Sequence, residues 1–152
     1  MPAAPKPITT RSSEGVDEVC LAFNLRRVSR LVSQVYDDAY RFMGLKNTQF
    51  TLLYALTKVQ PATVQELADQ LDVDRTTLTR NLAPLEKDGF LSVNRGEDQR
   101  EKRIELTDKG SKVLKEGFPA WCAIQGRIEE MFGAEATARL VSDLRKLAQT
   151  LS

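Results

Sequence analysis

The stretch DRTTLTRNLAPLEKDGF, residues 74–90, gathers the side chains of this chain best suited to recognising another molecule. Arg75, Thr76, Thr77, Thr79, Arg80 and Asn81 offer two guanidiniums and four short hydrogen-bonding groups, and no acid falls between Arg75 and Leu85. Thr and Asn are indifferent helix formers, whereas a helix face that only meets water is usually written in Glu and Lys. The mixture suits a polyanion. Hydroxyls and amides reach phosphate oxygens and base edges, and Arg bonds guanine O6 and N7 in a bidentate way. A second basic cluster lies in NRGEDQREKR, residues 94–103, with Arg95, Arg100, Lys102 and Arg103. A single Arg of such a tip can enter a minor groove and gain from its negative potential. Asp98 stands two residues before Arg100, close enough to hold its guanidinium. Glu97, Asp98 and Glu101 temper the charge, so most of the tip reads as a solvated turn.

Other chemistries are poorly served. The 152 residues contain no histidine, which removes the commonest general base, metal ligand and near-neutral switch. Cys20 and Cys122 are the only cysteines, too few for a disulfide framework or a structural zinc site. No phosphate-binding Gly loop and no nucleophile–base spacing occurs, so neither an enzymatic activity nor a cofactor is expected. The 22 Lys and Arg against 21 Asp and Glu give a net charge of +1, so any basic footprint must be local. Residues 1–15 carry three of the six prolines and read as a flexible arm. They have no apolar stretch of the kind that opens a signal peptide, and no run approaches a membrane span, so the expected location is cytoplasmic.

The elements that must position these groups follow from apolar periodicity. Val19, Phe23, Val28, Leu31, Val32, Val35, Ala39, Phe42 and Met43 recur at mostly helical steps, predicting one helix over 16–43 that stops at Gly44. Such a rod spans about 35–40 Å, long for a small domain, and dimerisation is a natural use for it. A second helix is expected from Asn47 or Thr48 with Phe50, Leu53 and Leu56 inward. Thr63 and Glu66 form a capping box for a third, and Asp74 is a good N-cap for the helix that follows a turn over Asp72 and Val73. FLSV and KRIEL alternate apolar with polar residues on either side of the charged tip, as in a β-hairpin with one buried face. Thr107 caps a long helix, in which Gly117 and Pro119 suggest a kink. After Gly133 a last helix carries Leu140, Val141, Leu144, Leu147 and Leu151. The fold class is therefore mainly α with a small β-hairpin: a helix–turn–helix with a wing.

At about 100° per residue, Leu78, Leu82 and Leu85 cluster within about 60° of arc and form the inward face of the helix from Arg75. Thr76, Arg80, Ala83 and Lys87 make the opposite stripe, with Thr77 and Thr79 on its flanks. Small residues there let the helix approach a major groove. Pro84 deletes one backbone hydrogen bond, which predicts a bend or a weak last turn.

These residues resemble the MarR family of bacterial transcription regulators, from about Val19 to the C-terminus. The resemblance rests on VQELADQLDVDRTTLTRNLAPLEKDGFL, the wing signature DQR and the following LTDKG. The family's D-x-R motif falls on Asp98 and Arg100, and its Leu-Thr-x-x-Gly on Leu106, Thr107 and Gly110. The resemblance implies a homodimer joined by helices over 16–46 and 107–152, with a DNA-binding lobe over 47–106. It also implies a pseudo-palindromic operator in double-stranded DNA, usually bound by a repressor that a small molecule or oxidation releases. On that footing Arg75, Thr76, Thr77, Thr79, Arg80, Asn81, Arg95, Asp98, Arg100 and Lys102 are the expected DNA-binding set.

For the signal, the resemblance implies a crevice for aromatic ligands between the dimerisation helices and the lobe. The candidates are Phe23, Arg26, Tyr36, Tyr40, Phe50 and Trp121, with Arg27 and Tyr54 beside them. Most side chains of these types are core or interface residues. One branch of the family instead senses hydroperoxides through a cysteine near the start of the first helix, held by two tyrosines of the partner. Aligned on Tyr36, that cysteine position falls on Ala22 and the second tyrosine on Asn47; Cys20 is two residues away, about 200° around the helix, and Cys122 is displaced from the resolving position. Cys20 and Cys122 are thus the candidates of a redox alternative. A winged helix that docks on proteins is the contrasting class.

Overall fold

The computed structural model describes residues 15–95 and 101–151. The expected arm, apart from Gly15, and the tip residues 96–100, Asp98 and Arg100 among them, lie outside the described residues, as does the side chain of Arg95. The order is α1 (Val16–Val19), α2 (Leu21–Tyr40), a 3-10 turn (Arg41–Met43), α3 (Asn47–Val59), α4 (Val64–Leu71), α5 (Arg75–Lys87), β1 (Leu91–Arg95), β2 (Lys102–Leu106), α6 (Asp108–Phe132) and α7 (Ala134–Leu151).

The single helix expected over 16–43 is divided. Cys20 adopts an extended backbone and caps α2, its Sγ accepting the Phe23 N–H at 3.4 Å, while Asn24 donates to the carbonyls of Asp17 and Cys20. Periodicity alone does not show such a break, because the polar capping groups sit within an otherwise helical spacing. α4, α5 and α6 begin on the caps the sequence offers. Thr63 accepts from Glu66 N–H and Glu66 from Thr63 N–H, and Asp74 accepts from Thr77 N–H at 2.8 Å. Asp72, with φ of 51°, ends α4 in the left-handed conformation that Asp tolerates and turns the chain toward α5.

The core lies where α3, α4, α5 and the hairpin meet. Leu53, Leu56, Leu67, Leu78, Leu85, Leu91 and Ile104 are fully buried there. β1 and β2 pair antiparallel, with Leu91 opposite Leu106 and Val93 opposite Ile104, so the apolar cross-strand pairs share one face. Ala62 adds a short third rung, exchanging backbone bonds with Ile104 at 3.1 and 2.7 Å. Nothing in the period of the sequence announces this rung.

Two glycines allow α6 to approach the rest. A Cβ on Gly110 would lie 1.9 Å from the Phe90 carbonyl oxygen, which places the start of α6 directly against the entrance to the wing. Thr107 locks that junction: its hydroxyl donates to Gly89 O at 2.7 Å and accepts from Gly110 N–H at 3.0 Å. A Cβ on Gly117 would lie 2.4 Å from the Phe50 ring and 2.8 Å from Met43. α6 runs through Gly117 and Pro119 as one helix, and at Gly117 the missing side chain serves close packing.

α2 and α7 keep apolar faces that the chain itself does not cover. Leu21, Phe23, Val28, Leu31 and Val35 on α2 and Leu140, Val141 and Leu144 on α7 are each 39–54% exposed. Apolar surface on this scale is the kind that interaction sites present. No helix among the described residues is long and apolar enough to cross a membrane.

Candidate nucleic-acid interface and a neighbouring cavity

α5 buries only Leu78, Leu82 and Leu85; every other residue from Arg75 to Lys87 is exposed. The helix continues through Pro84, and Asp88 N–H closes the last turn on Pro84 O at 2.9 Å. The last turn is thus formed, although Pro84 leaves the Arg80 carbonyl without its helical N–H donor.

The polar groups of α5 divide by what they already bind. Thr77 donates its hydroxyl to Asp74 at 2.6 Å, and Thr79 donates to Arg75 O at 2.7 Å. Both hydroxyl protons serve the helix. Arg75, Thr76, Arg80 and Asn81 make no side-chain hydrogen bond or ion pair among the described residues, and Arg75, Thr76, Thr79 and Arg80 line one shallow concavity. The Asp74 carboxyl is held below its ordinary value by the hydrogen bonds of the Thr77 hydroxyl and backbone.

A groove runs beside this helix. Its floor is the capped start of α4, Thr63 to Gln65; Arg75 borders it, as do Glu101 and Lys102 at the start of β2. Arg75 and Lys102 favour an anion such as a phosphate in this groove, against the Glu101 carboxylate that also borders it and a helix start already capped by Thr63 and Glu66. Lys102 has no side-chain partner among the described residues. Arg103, which the sequence counts with the basic tip, is spoken for: it pairs with Glu101 at 2.9 Å and Glu66 at 3.2 Å. It ties the wing to the capping box of α4. Lys109 donates to Asp88 O at 2.6 Å and lies 4.6 Å from the Phe90 ring centre, anchoring the end of α5 to α6.

The second site is a cavity of about 350 Å³ between α2, α3 and α6. Tyr36 and Tyr40 come from α2, Asn47, Phe50, Thr51 and Tyr54 from α3, and Phe118 and Trp121 from α6. The structure thus brings four of the six sequence candidates together. Phe23 and Arg26 do not line the cavity: they precede Tyr36 by thirteen and ten residues, which is about 20 and 15 Å along a helix, and both are exposed. Thr51 and Phe118 complete the wall, although residue type alone does not single them out. Their signal is spacing: Thr51 lies between Asn47 and Tyr54 at steps of four and three, and Phe118 three before Trp121.

Tyr40 stacks on Phe50 with ring centres 4.4 Å apart, and Phe118 stacks on Trp121 at 5.5 Å. Tyr36 donates its hydroxyl to Gln125 Oε1. The Tyr40 hydroxyl is fully buried and has no partner among the described residues. Burial, reinforced by Tyr36, pushes the Tyr40 phenol up to about 12, so it remains a neutral donor. A second crevice of about 490 Å³ adjoins the first across Phe50, Tyr54 and Phe118 and is bordered by Lys115. Cys20 is half-buried at its capping position and Cys122 exposed; both are free thiols.

Comparisons with known proteins agree with this arrangement. The model of the MarR family matches residues 45–102, from just before α3 to the start of β2. Over 96 residues the chain is 31% identical to the uncharacterized HTH-type transcriptional regulator YwoH of Bacillus subtilis, covering 63% of this chain and 70% of that protein. The transcriptional regulator MosR of M. tuberculosis, solved in complex with DNA, is 39% identical. It superimposes with a TM-score of 0.78 over 87% of this chain and 96% of that one. A variant of MarR from E. coli, complexed with operator DNA, shares the fold at 21% identity, with a TM-score of 0.77 over 90% of this chain and 99% of that one. The chain belongs to the MarR family, and is a DNA-binding transcriptional regulator rather than an enzyme.

Proposed function

We propose that the chain acts as a homodimeric repressor that sets its two α5 helices into successive major grooves of a pseudo-palindromic operator and leaves when a small aromatic ligand enters the cavity. The observation that carries the DNA reading is the outward face of α5, where Arg75, Thr76, Arg80 and Asn81 are exposed and unpaired among the described residues while no acid interrupts them. Arg80, Thr76 and Thr77 read or anchor the groove; Arg75 and Lys102, facing the groove at the start of α4, take phosphates. Arg95 is a further phosphate contact, and Arg100, positioned by Asp98, enters the minor groove. MosR of M. tuberculosis binds DNA, which supports this placement.

The dimer reading is supported by the uncovered apolar faces of α2 and α7. The helices over 16–46 and 107–152 form that dimer, and 47–106 the DNA-binding lobe. A two-fold axis then presents the α5 helices to half-sites about one helical turn apart. The cavity lies between the two parts, walled by α2 and α6 on one side and α3 on the other.

Fluorescence anisotropy on DNA from upstream of the protein's own gene tests the reading over a salt series. The expected result is tight binding whose log K falls linearly with log salt, lost on adding a small aromatic effector. Binding no tighter than to scrambled DNA overturns the operator reading for that sequence and favours a protein-docking winged helix.

A further inference from the structure

We propose that Glu66 and Arg103 are positioning residues for DNA binding: touching no phosphate themselves, they fasten the base of the wing to α4 and so hold Lys102 ready for the backbone of the duplex. The inference rests on the reading of Lys102 as a phosphate contact and deepens it.

β2 is joined to the chain around α4 at three points that move outward along the strand. Leu106 N–H donates to Gln60 Oε1 at 2.9 Å, Ile104 exchanges backbone bonds with Ala62, and Arg103 comes last. One guanidinium there reaches three segments. Its Nη2 donates to Glu101 on its own strand at 2.9 Å, and its Nη1 donates to Glu66 on α4 at 3.2 Å and to the Pro61 carbonyl at 3.4 Å. The Glu66 carboxylate is itself fixed, because it also accepts Thr63 N–H at 2.7 Å. Among the described residues no other side chain bonds the start of β2 to α4. Lys102 is the next residue out. It lines the groove with Arg75, and its backbone neighbour across the sheet is Arg95 of β1. The Arg103 fork is therefore what sets Lys102 relative to α4 and Arg75.

Ion pairs in contact with solvent contribute little to stability, and the side chains of Arg103, Glu66 and Glu101 are 34%, 55% and 52% exposed. Their effect falls on binding instead. A wing base that is loose in the free protein must be ordered when Lys102 meets a phosphate, and that ordering lowers affinity. Charge alone predicts the opposite. Glu66 is an acid beside a groove for a polyanion, so removing it should strengthen binding if only the local potential counted.

Two substitutions separate these effects. Glu66→Gln removes the charge that holds Arg103 but keeps the capping box, which accepts Gln as well as Glu. Arg103→Lys keeps the charge and loses the planar fork that spans both carboxylates. Anisotropy of the full-length protein is read over a salt series on the duplex it selects from a randomised pool. Each variant should bind about two- to tenfold more weakly per half-site, for the ordering it must now undergo. The salt slope should stay at the wild-type value, because the same phosphates are neutralised once the wing is ordered. Lys102→Ala should weaken binding and lower the slope by about one per half-site, and in that background Glu66→Gln should weaken it no further. Melting temperatures close to wild type show that the variants fold. Tighter or unchanged binding by Glu66→Gln, wild-type binding by Arg103→Lys, or losses that add in full with Lys102→Ala overturn the proposal. If Lys102→Ala alone costs affinity and slope while Glu66→Gln and Arg103→Lys do not, only the positioning role falls. If Lys102→Ala changes neither, the phosphate reading of Lys102 falls and takes the positioning role with it.

Discussion

Replacing Arg80 by Ala tests whether the outward face of α5 reads bases or only tracks the backbone. Leu78, Leu82 and Leu85 put the buried direction of α5 on one side, and at about 100° per residue Arg80 stands nearly opposite their centre. It is exposed and has no side-chain partner among the described residues, so its loss should change folding stability by no more than about 0.5 kcal/mol. A bidentate Arg–guanine contact contributes about 1–3 kcal/mol of discrimination, and a symmetric dimer forfeits it at both half-sites. The expected outcome is a fall of about 1–3 kcal/mol per half-site on the operator with scrambled DNA little affected, and relaxed preference at one base per half-site. Arg75→Ala supplies the contrast, because Arg75 lines the groove at the start of α4 with Lys102. It should weaken operator and scrambled duplex alike and lower the salt slope by about one for each phosphate no longer neutralised. Both variants are read by anisotropy on both duplexes at several salt concentrations, with selection from a randomised duplex to score base preference. If Arg80→Ala lowers both affinities equally with a shallower salt slope, Arg80 binds a phosphate and the placement of α5 must be revised.

The junction, the dimer and the caps give three further expectations. Gly110→Ala places a methyl group 1.9 Å from the Phe90 carbonyl oxygen, and backbone cannot swing aside as a side chain can. Stability should fall by about 1–3 kcal/mol or more in chemical denaturation. Leu144→Asp puts a charge in the exposed apolar face of α7, and light scattering after size exclusion should show the mass of one chain instead of two. A mass unchanged from wild type would remove α7 from the interface. Asp74 and Glu66 are both held below their ordinary 3.8 and 4.5, Asp74 by the Thr77 hydroxyl and backbone, Glu66 by the Thr63 backbone and hydroxyl. Their folded-state values lie below the unfolded ones, so the stabilisation is full above the ordinary values and lost as pH falls through the lowered ones. Asp74→Asn, which caps without titrating, should blunt the loss of stability below about pH 4 in a denaturation series.

The lobe is legible in the sequence because each of its signals is local. Thr63 with Glu66, Asp74 with Thr77 and Thr107 with Gly110 are caps that span three residues. The leucines of α5 repeat at steps of four and three, and the strands alternate. Signals acting across the fold are hidden. The Ala62–Ile104 rung, the hold of Arg103 on Glu66 and the contact of Gly110 with Phe90 each join residues far apart in sequence. The break at Cys20 escapes a reading of periodicity because a thiol is an uncommon cap. The cavity is half legible: aromatic residues can be counted along α2, α3 and α6, but only packing decides which of them face one another. Phe23 and Arg26 fail that test by distance along α2, and Thr51 and Phe118 pass it by sharing a helix face with aromatic candidates.

The same packing bears on how a ligand in the cavity could reach α5, some elements away. Turning a population from 99:1 bound-competent to the reverse takes about a 10⁴-fold difference in ligand affinity between the two forms. In the proposed dimer two cavities share that demand, so each needs only about a hundredfold preference, or about 2.7 kcal/mol. A ring that parts Tyr54 from Phe118 has to move α3 against α6, since Gly117 already lets Phe50 and Met43 approach α6 as closely as the backbone permits. α3 does not move alone. Gln60, which caps its end, accepts the Leu106 N–H at 2.9 Å, and the Ala62 rung follows at once, so the wing is carried with it. At the far side Thr107 and Lys109 bind the end of α5 to the start of α6. The lobe is therefore tied to the cavity walls at both ends, and on the proposed effector reading these ties are the route by which a wedge between α3 and α6 would reach α5. In the proposed dimer both α5 helices would have to match the spacing of the grooves, so a small tilt would be enough to spoil that match.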